Sequence, residues 1–215
     1  MSTLPLQSPR EKEPYMEHTR YEIVELADSI IRNKGYNAFS YRNVGGVMDI
    51  QNASIHHHFP TKADLGNKVI SEELLRIARL QKECMESPGS EQLRKIVETF
   101  FKRSRKGLMC LTGAFTPEYV TLPYELQGSV RRMCEVIIDW MSACLEKGRR
   151  EGSLYFQGDS SDRALLVMST LFSSLIMSRV MGSEIFDRMI DQQLKDLGSD
   201  IRVSQFVEDI PEHLL

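Results

Sequence analysis

The segment Ser40–Leu65 places the tightest constraint on the fold, because it holds two short helices, a turn and the start of a third helix. Ser40 is a good N-cap, and the apolar residues after it recur at three and four positions, which predicts a helix over Tyr41–Met48. Asp49 lies at the following turn, where its side chain tolerates a left-handed backbone. A second helix is predicted over Gln51–His57.

A third, longer helix is predicted to begin just after Pro60. Proline interrupts the second helix, and Thr61 followed three residues later by Asp64 resembles a capping box. Two short helices held by a fixed turn, with a longer helix after them, are typical of a helix-turn-helix unit that reads DNA.

The same residues resemble the DNA-binding domain of TetR-type bacterial transcriptional repressors. The family pattern is met here by Arg20, Gly35-Tyr36, Ser40, Val44-Gly45, Asp49-Ile50, His56-His57-His58-Phe59 and Thr61-Lys62-Ala63-Asp64-Leu65. The match covers about Glu17 to Arg76, and the rest of the chain resembles the family in length, helical character and position. In three places the chain departs from the pattern: Asp49 replaces the turn glycine, Gln51 a Ser or Thr cap, and His56 a tyrosine. We expect these departures to change contacts rather than the fold.

The hydrophobic pattern along the whole chain predicts an all-α protein of about nine helices. We expect residues 1–16, which carry three prolines, to form a flexible arm. Residues 17–76 would form the helix-turn-helix domain, and residues 77–215 a larger regulatory domain for ligand binding and dimerisation. A long amphipathic helix, Leu65–Met85, would connect the two domains. A chain of 215 residues is long enough for both.

Charge and composition narrow the function further. The net charge of −3 excludes a strongly basic nucleic-acid coat, but Arg32–Lys68 holds five basic residues against two acids. A local positive surface suits a protein that touches a few phosphates per subunit and gains affinity from a second copy. The sequence has no long apolar run and no signal-peptide order, so we expect a cytoplasmic protein without membrane contact.

The predicted second helix supplies the candidates for reading bases. Gln51, Asn52 and Ser54 are short polar residues for base edges, since the amides of Gln and Asn pair a donor with an acceptor and suit adenine. Tyr41 and His57 offer flat faces for thymine methyls and sugars. A double-stranded, pseudo-palindromic operator is the expected partner.

A second group is expected to contact phosphates. By the family resemblance, His56, His58 and Lys62 fall on positions that usually hold phosphates, and Arg42 is a further candidate. Ser40, at the start of the first short helix, completes the predicted DNA-binding set. One of the three histidines, His58, could instead be packed beneath Phe59.

Metal binding and catalysis are the competing classes of function. Consecutive helical residues point about 100° apart, so His56-His57-His58 cannot converge on one ion as an i, i+4 pair can. The four cysteines lack C-x-x-C spacing, which disfavours a zinc site, and a reducing compartment disfavours disulfides. No catalytic motif occurs, so we expect no enzyme activity, no metal and no cofactor.

The middle helices carry an aromatic and sulfur-rich set that could line a pocket for an apolar or weakly polar effector. The candidates are Phe101, Met109, Cys110, Phe115, Tyr119, Trp140, Cys144 and Phe172. A packed core would have the same sequence pattern. Two alternatives stay open: a redox-sensing regulator that uses Cys110 in place of a ligand, and a helical adaptor that has lost DNA binding.

The last two long helices, at about 162–197, show wide apolar faces at helical spacing. Such helices can pair with their copies as a four-helix bundle. We therefore expect a homodimer, since a DNA reader with few cations needs two half-sites one helical turn apart.

Overall fold

Nine α-helices and two short 3₁₀ turns make up residues 9–206, the part of the chain that the structure, a computed structural model, describes, with side chains from residue 18 onward. The α-helices are α1 (Pro9–Lys34), α2 (Tyr41–Met48), α3 (Asn52–His58), α4 (Lys62–Cys84), α5 (Gly89–Arg105), α6 (Leu111–Phe115), α7 (Tyr124–Glu151), α8 (Ser160–Met181) and α9 (Glu184–Asp196). The 3₁₀ turns are Thr116–Thr121 and Val203–Phe206. This range contains no strand, which confirms the predicted all-α class.

Local capping sets the helix-turn-helix unit. The Ser40 side chain accepts a hydrogen bond from the backbone N–H of Asn43 and so starts α2 as predicted. Asp49 ends α2 in the left-handed region, with φ of 54°, and within residues 9–206 it is the only non-glycine residue with positive φ. Aspartate tolerates this conformation better than most residues, so the turn keeps its shape without a glycine.

Helix α4 joins the two halves of the molecule. It begins at Lys62 with the predicted capping box, in which the Thr61 side chain accepts from the Asp64 N–H and the Asp64 carboxylate accepts from the Thr61 N–H. It packs against α1 in the first half and against α7 and α5 in the second. A Cβ on Gly66 would lie 2.9 Å from the Tyr36 ring and 3.3 Å from Leu126 of α7, so the helices approach closely here.

In the second half, α7 packs against α5 and α8, and α8 packs against α9. Asp159 caps α8 through the N–H groups of Ser161 and Asp162. Within the described range α8 is the one helix long and apolar enough to cross a membrane by length and composition, with a mean hydropathy of 1.7. A core helix of a soluble protein passes the same test, and the packing of α8 on three other helices makes it a core helix.

The first helix extends into the segment 1–16 that was expected to form a flexible arm. Proline is well tolerated in a first helical turn, and α1 starts at Pro9. Residues 9–16 of the predicted arm are therefore helical, while residues 1–8 lie outside the described residues. The 3₁₀ turn Val203–Phe206 was also not predicted; its Val203 and Phe206 are buried in the core.

Glycine allows α5 and α7 to cross at close range. A Cβ added to Gly89, at the start of α5, would lie 2.2 Å from the Gly148 nitrogen and 2.4 Å from the Cys144 carbonyl oxygen. Gly89 is buried, and its N–H donates to the Glu151 carboxylate at 2.8 Å. No side chain fits between the two backbones, so this crossing depends on glycine.

We predict that Gly89→Ala lowers the free energy of unfolding by about 2 kcal/mol, because the added methyl group must push two helix backbones apart. Urea unfolding followed by far-ultraviolet circular dichroism measures this change.

Gly128→Ala is the matched control. Gly128 lies exposed within α7, and its added Cβ would meet nothing within 4 Å. This substitution should raise stability by roughly 0.5–1 kcal/mol, the helix-propensity gain of alanine over glycine. Equal effects of the two substitutions would contradict the crossing argument.

Candidate nucleic-acid interface and ligand cavity

An exposed patch on α2 and α3 contains half of the predicted DNA-binding residues. We call this patch the reading surface, and its members are Arg42, Gln51, Asn52, His56 and His57, all exposed. Ile55 and Phe59 are buried in the core on the other side of the same segment. Helix α3 is thus held by its apolar side and offers its first turn, where backbone N–H groups have no helical partner, to solvent.

Tyr41 corrects the sequence-based expectation of a flat face for DNA. Its side chain is only 8% exposed, and its hydroxyl donates a hydrogen bond of 2.8 Å to the Phe59 carbonyl oxygen. Burial raises the pKa of Tyr41 to about 12, so the hydroxyl stays a donor. Its ring packs edge-on against His56, with centroids 4.6 Å apart. Tyr41 therefore fixes α2 against the end of α3 and supports His56 from beneath.

Three further residues of the predicted DNA-binding set are half-buried or hydrogen-bonded within the protein. The Ser40 hydroxyl donates to the Asn43 side chain at 2.6 Å. Ser54 is half-buried. Burial, with smaller effects from His57 and Arg20, lowers the pKa of His58, which keeps this half-buried ring neutral. The neutral His58 can hydrogen-bond to a phosphate but adds no charge.

Lys62 lies at the start of α4 with its ammonium already engaged. Its Nζ donates to the Asn37 carbonyl oxygen at 3.3 Å and lies 4.4 Å from the centre of the Tyr36 ring. Burial lowers its pKa, with Glu118 acting in the opposite direction. The side chain holds the loop before α2 and would leave that contact to reach a phosphate.

A small cavity of about 50 Å³ lies between α4, α5 and α7 in the second half of the molecule. Two of the predicted ligand-binding residues, Cys110 and Trp140, line it. The other lining residues are Glu73, Ile77, Leu80, Ile96, Thr99, Phe100, Arg103, Thr112 and Ile137. The charged pair Glu73 and Arg103 was not among the predicted lining residues, because charged residues on an amphipathic helix are usually exposed.

The remaining six predicted lining residues do not line this cavity, and their contacts are those of a packed core. Phe101 packs on Phe186 and Phe206, Phe115 packs on Tyr36, and Phe172 packs on Phe100. The Cys144 thiol donates to the Gln92 side chain at 3.3 Å. Met109 is buried and Tyr119 half-buried in the same core. Aromatic and sulfur-containing side chains fill a helical core as readily as they line a pocket.

Cys110 has the environment of an unreactive thiol. It is buried, and burial raises its pKa to about 11. Its sulfur accepts a hydrogen bond of 3.2 Å from the Gly113 N–H. The thiolate is the reactive form, so Cys110 offers little to an oxidant at neutral pH. This environment does not support the redox alternative.

A group of buried and half-buried charged side chains joins the two halves. We call Asp28, Arg32, Glu73 and Arg103 the junction cluster. Arg32 of α1 donates to Asp28 at 2.7 and 3.0 Å and to Glu73 of α4 at 2.8 Å. Arg103 of α5 donates to the other Glu73 oxygen, also at 2.8 Å. Burial alone would raise the pKa of Glu73, but Arg103, Arg32 and Arg76 together hold it below its ordinary value.

Two backbone contacts reinforce this junction. The Arg32 carbonyl oxygen, near the end of α1, accepts from the Met109 N–H at 3.1 Å and from Arg179 of α8 at 2.7 Å. The loop before α2 is held as well, since the Asn37 N–H donates to the Glu118 carboxylate at 2.7 Å. The helix-turn-helix unit is therefore bonded to the second half at two separate places.

Helix α8 shows an exposed apolar stripe. Leu166 is 57% and Val180 is 81% exposed, and Leu165, Ile176, Met177 and Met181 are exposed as well. Ser169 and Ser173 lie at exposed positions between these apolar residues. The stripe lies within the 162–197 segment predicted to dimerise.

Metal ligands are not grouped within residues 9–206. No set of three or more His, Cys, Asp or Glu side chains there could hold an ion. The ring centres of His57 and His58 lie 5.6 Å apart, and their planes are inclined by 67°.

Similarity to known proteins was found among solved structures. The sequence matches no protein-family model and no curated relative. A TetR-family transcriptional regulator from Agrobacterium tumefaciens is 30% identical, with a TM-score of 0.77 over 85% of this chain and 98% of its own. A TetR regulator from Legionella pneumophila is 26% identical, with a TM-score of 0.72 over 91% and 98%. A transcriptional regulator from Saccharomonospora viridis, solved with choline, shares the fold at 18% identity and a TM-score of 0.68 over 86% and 98%.

These matches extend over both halves of the molecule, including the half where the sequence resemblance rested on length and helical character alone. The identity and coverage of the Agrobacterium regulator establish kinship as well as fold. The chain is a regulator and not an enzyme. It belongs to the TetR family of transcriptional regulators.

Proposed function

We propose that the protein is a cytoplasmic homodimer that represses transcription from a pseudo-palindromic operator until a small molecule enters the second half. The observation that carries this proposal is the position of α4. Its capping box begins three residues after α3 ends, and its Glu73 both lines the cavity and bonds to α1 and α5. One rigid helix thus connects the reading surface with the cavity.

The reading surface suits the major groove. Gln51 and Asn52 lie at the exposed start of α3, and an inserted helix end reaches base edges with its first residues. Both amides can form the paired hydrogen bonds that select adenine. Arg42, His56 and His57 are exposed beside them and can contact phosphates, which fix register and orientation. Each phosphate contact adds a salt-dependent share of affinity.

The exposed stripe on α8 suits a second copy of the chain. Isolated apolar side chains on a surface need no explanation, but a continuous apolar helix face usually marks an interface. The serines within the stripe allow two helices to approach closely. A two-fold interface would present two copies of α3 to successive major-groove turns, which supplies the affinity that one reading surface lacks.

Release of DNA would follow from a change in the spacing of the two α3 helices. A ligand between α4, α5 and α7 can displace α4 at its middle, and the capped start of α4 would carry that displacement to α3. The ligand weakens operator binding only to the extent that it prefers the altered spacing. The choline-bound relative supports small-molecule binding within this fold.

The adaptor alternative rests on the atypical residues Asp49, Gln51 and His56. Asp49 keeps the turn in the required left-handed conformation, and Gln51 and His56 are exposed. These departures therefore favour an altered DNA sequence preference over the loss of DNA binding.

We predict that the protein binds DNA from immediately upstream of its own gene as a dimer, with affinity that falls steeply as salt rises. Arg42→Ala and His57→Ala should each weaken this binding by about tenfold or more, with a smaller salt dependence for Arg42→Ala, as expected for lost phosphate contacts. Fluorescence anisotropy at two salt concentrations, against an unrelated duplex of equal length, measures both effects.

Arg150→Ala is the control for loss of one exposed positive charge. Arg150 is exposed at the end of α7, about 35 Å along the helix from Leu126. Leu126 lies beside Gly66, near the start of α4 and the reading surface. The operator affinity of Arg150→Ala should match that of the unaltered protein. Equal, weak binding to both duplexes by the unaltered protein would favour the adaptor alternative.

We predict that Leu166→Glu converts the dimer to a monomer, because it buries a charge without a partner in the proposed interface. Analytical ultracentrifugation measures the mass, and operator affinity should fall with it. Val120→Glu, at an 85% exposed position outside the stripe, should leave the dimer intact. A dimer that survives Leu166→Glu would rule out the α8 stripe as the interface.

A further inference from the structure

The ion pair between Glu73 and Arg103 separates two spaces. On one side lies the cavity of about 50 Å³ described above, and on the other an open groove of about 330 Å³ between α1, α4 and α5. Glu73, Arg103 and Thr99 line both spaces. The pair is therefore a wall, and opening it would join the cavity to the groove in a space of the size that small-molecule sites usually have.

One buried donor beside this wall lacks a hydrogen-bond acceptor. Both Glu73 oxygens are already engaged, one by Arg32 and one by Arg103. Arg103 donates to Glu73 through Nη2, and its side chain is only partly buried. Arg32 is 5% exposed, lines the groove, and its Nη1 has no hydrogen-bond partner. A buried donor without an acceptor is costly, so the site favours an occupant that supplies oxygen acceptors.

The cavity side of the wall is apolar. Ile77 and Leu80 of α4, Ile96 and Phe100 of α5, and Ile137 and Trp140 of α7 line it. Phe100 also lies beneath the Arg103 guanidinium, 5.5 Å from ring centre to Cζ, and so holds the arginine at the cavity edge. An occupant that fits both sides has an apolar body and one anionic group.

We propose that the effector is a small organic acid whose carboxylate binds Arg103 in place of Glu73, with its apolar body among Ile77, Phe100 and Trp140 in a cavity that widens from about 50 Å³ to take it. This inference rests on the proposed function only in taking a small molecule as the signal for release. No bond is made or broken covalently, since one carboxylate replaces another on the same guanidinium.

When a ligand carboxylate displaces Glu73 from Arg103, Glu73 keeps two arginine partners. Arg32 stays bonded at 2.8 Å, and an Arg76 nitrogen lies 3.5 Å from the same Glu73 oxygen. A cationic ligand would instead compete with three arginines for Glu73 and leave Arg103 without an acceptor. A neutral ligand would leave Arg103 on Glu73, and the wall would stay closed. Breaking a buried ion pair without a replacement is strongly unfavourable, so the site selects for a carboxylate.

The chain contains a single tryptophan, Trp140, and it lines the cavity, so its fluorescence reports on occupancy. The probes are benzoate, phenylacetate, hexanoate and decanoate, each paired with its own neutral amide. We expect at least one carboxylate to give a saturable change in fluorescence, and its amide to bind at least about tenfold more weakly, because a hydrogen bond to a charged acceptor is the stronger one. If no carboxylate binds, or if the amides bind equally well, the proposal is wrong.

Two substitutions test the wall itself. Arg103→Gln should abolish the preference for carboxylate over amide, and Arg103→Lys should restore part of it. Glu73→Gln removes the competing carboxylate and should tighten benzoate or hexanoate binding several-fold. A merely structural role for Glu73 would not increase affinity, so this result separates the two explanations. Circular dichroism confirms folding, and if Arg103→Gln fails to fold, unchanged or weaker binding in Glu73→Gln still overturns the proposal.

Operator binding is measured separately, so that the two proposals can fail independently. Carboxylate binding without any operator binding would retain the ligand site and reject the proposed function. Specific operator binding that no probe carboxylate weakens, in a protein that binds none of them, would retain the function and reject the ligand class.

Discussion

The placement of one carboxylate, Glu73, among three arginines is the interaction on which the arrangement of the two halves depends. A carboxylate this deeply buried is costly to desolvate, and its neighbours offset that cost only while they stay in hydrogen-bonding geometry. Arg32 comes from α1, Arg76 from α4 itself and Arg103 from α5. Three helices from both halves must therefore keep their positions together, and a change at any one of them is felt by the other two.

The same cluster explains how a unit as small as the helix-turn-helix can be both stable and adjustable. Its core is contiguous with that of the regulatory half, so the two halves do not form separate apolar cores joined by a linker. The contacts at their boundary combine apolar packing, such as Tyr36 on Phe115, with polar bonds: the junction cluster, the Arg32 carbonyl and the bond from Asn37 to Glu118. Polar contacts can be exchanged for those of a ligand, whereas close-packed apolar contacts resist rearrangement.

Much of the first half could be predicted from the sequence because its signals are local. The caps at Ser40 and Thr61 and the turn at Asp49 each depend on residues within four positions, and the structure has each of them. The cavity could not be predicted in the same way. Glu73 follows Glu72 on an amphipathic helix, and its burial is set by Arg32 and Arg103, which lie 41 and 30 residues away. Aromatic residues such as Phe101 and Phe115 give one sequence pattern for core and for pocket.

The glycine crossing has a mechanical consequence for α5. Gly89 fixes the start of this helix against α7, and near the other end Phe101 packs on Phe186 and Phe206 while Arg105 donates to Asp187 at 2.7 and 2.8 Å. The helix is thus held at two points about 24 Å apart. The Arg103 side chain between them is bonded through one exchangeable ion pair. Helix α5 therefore acts as a fixed support, and a change of partner at Arg103 displaces Glu73 and α4 while α5 stays in place.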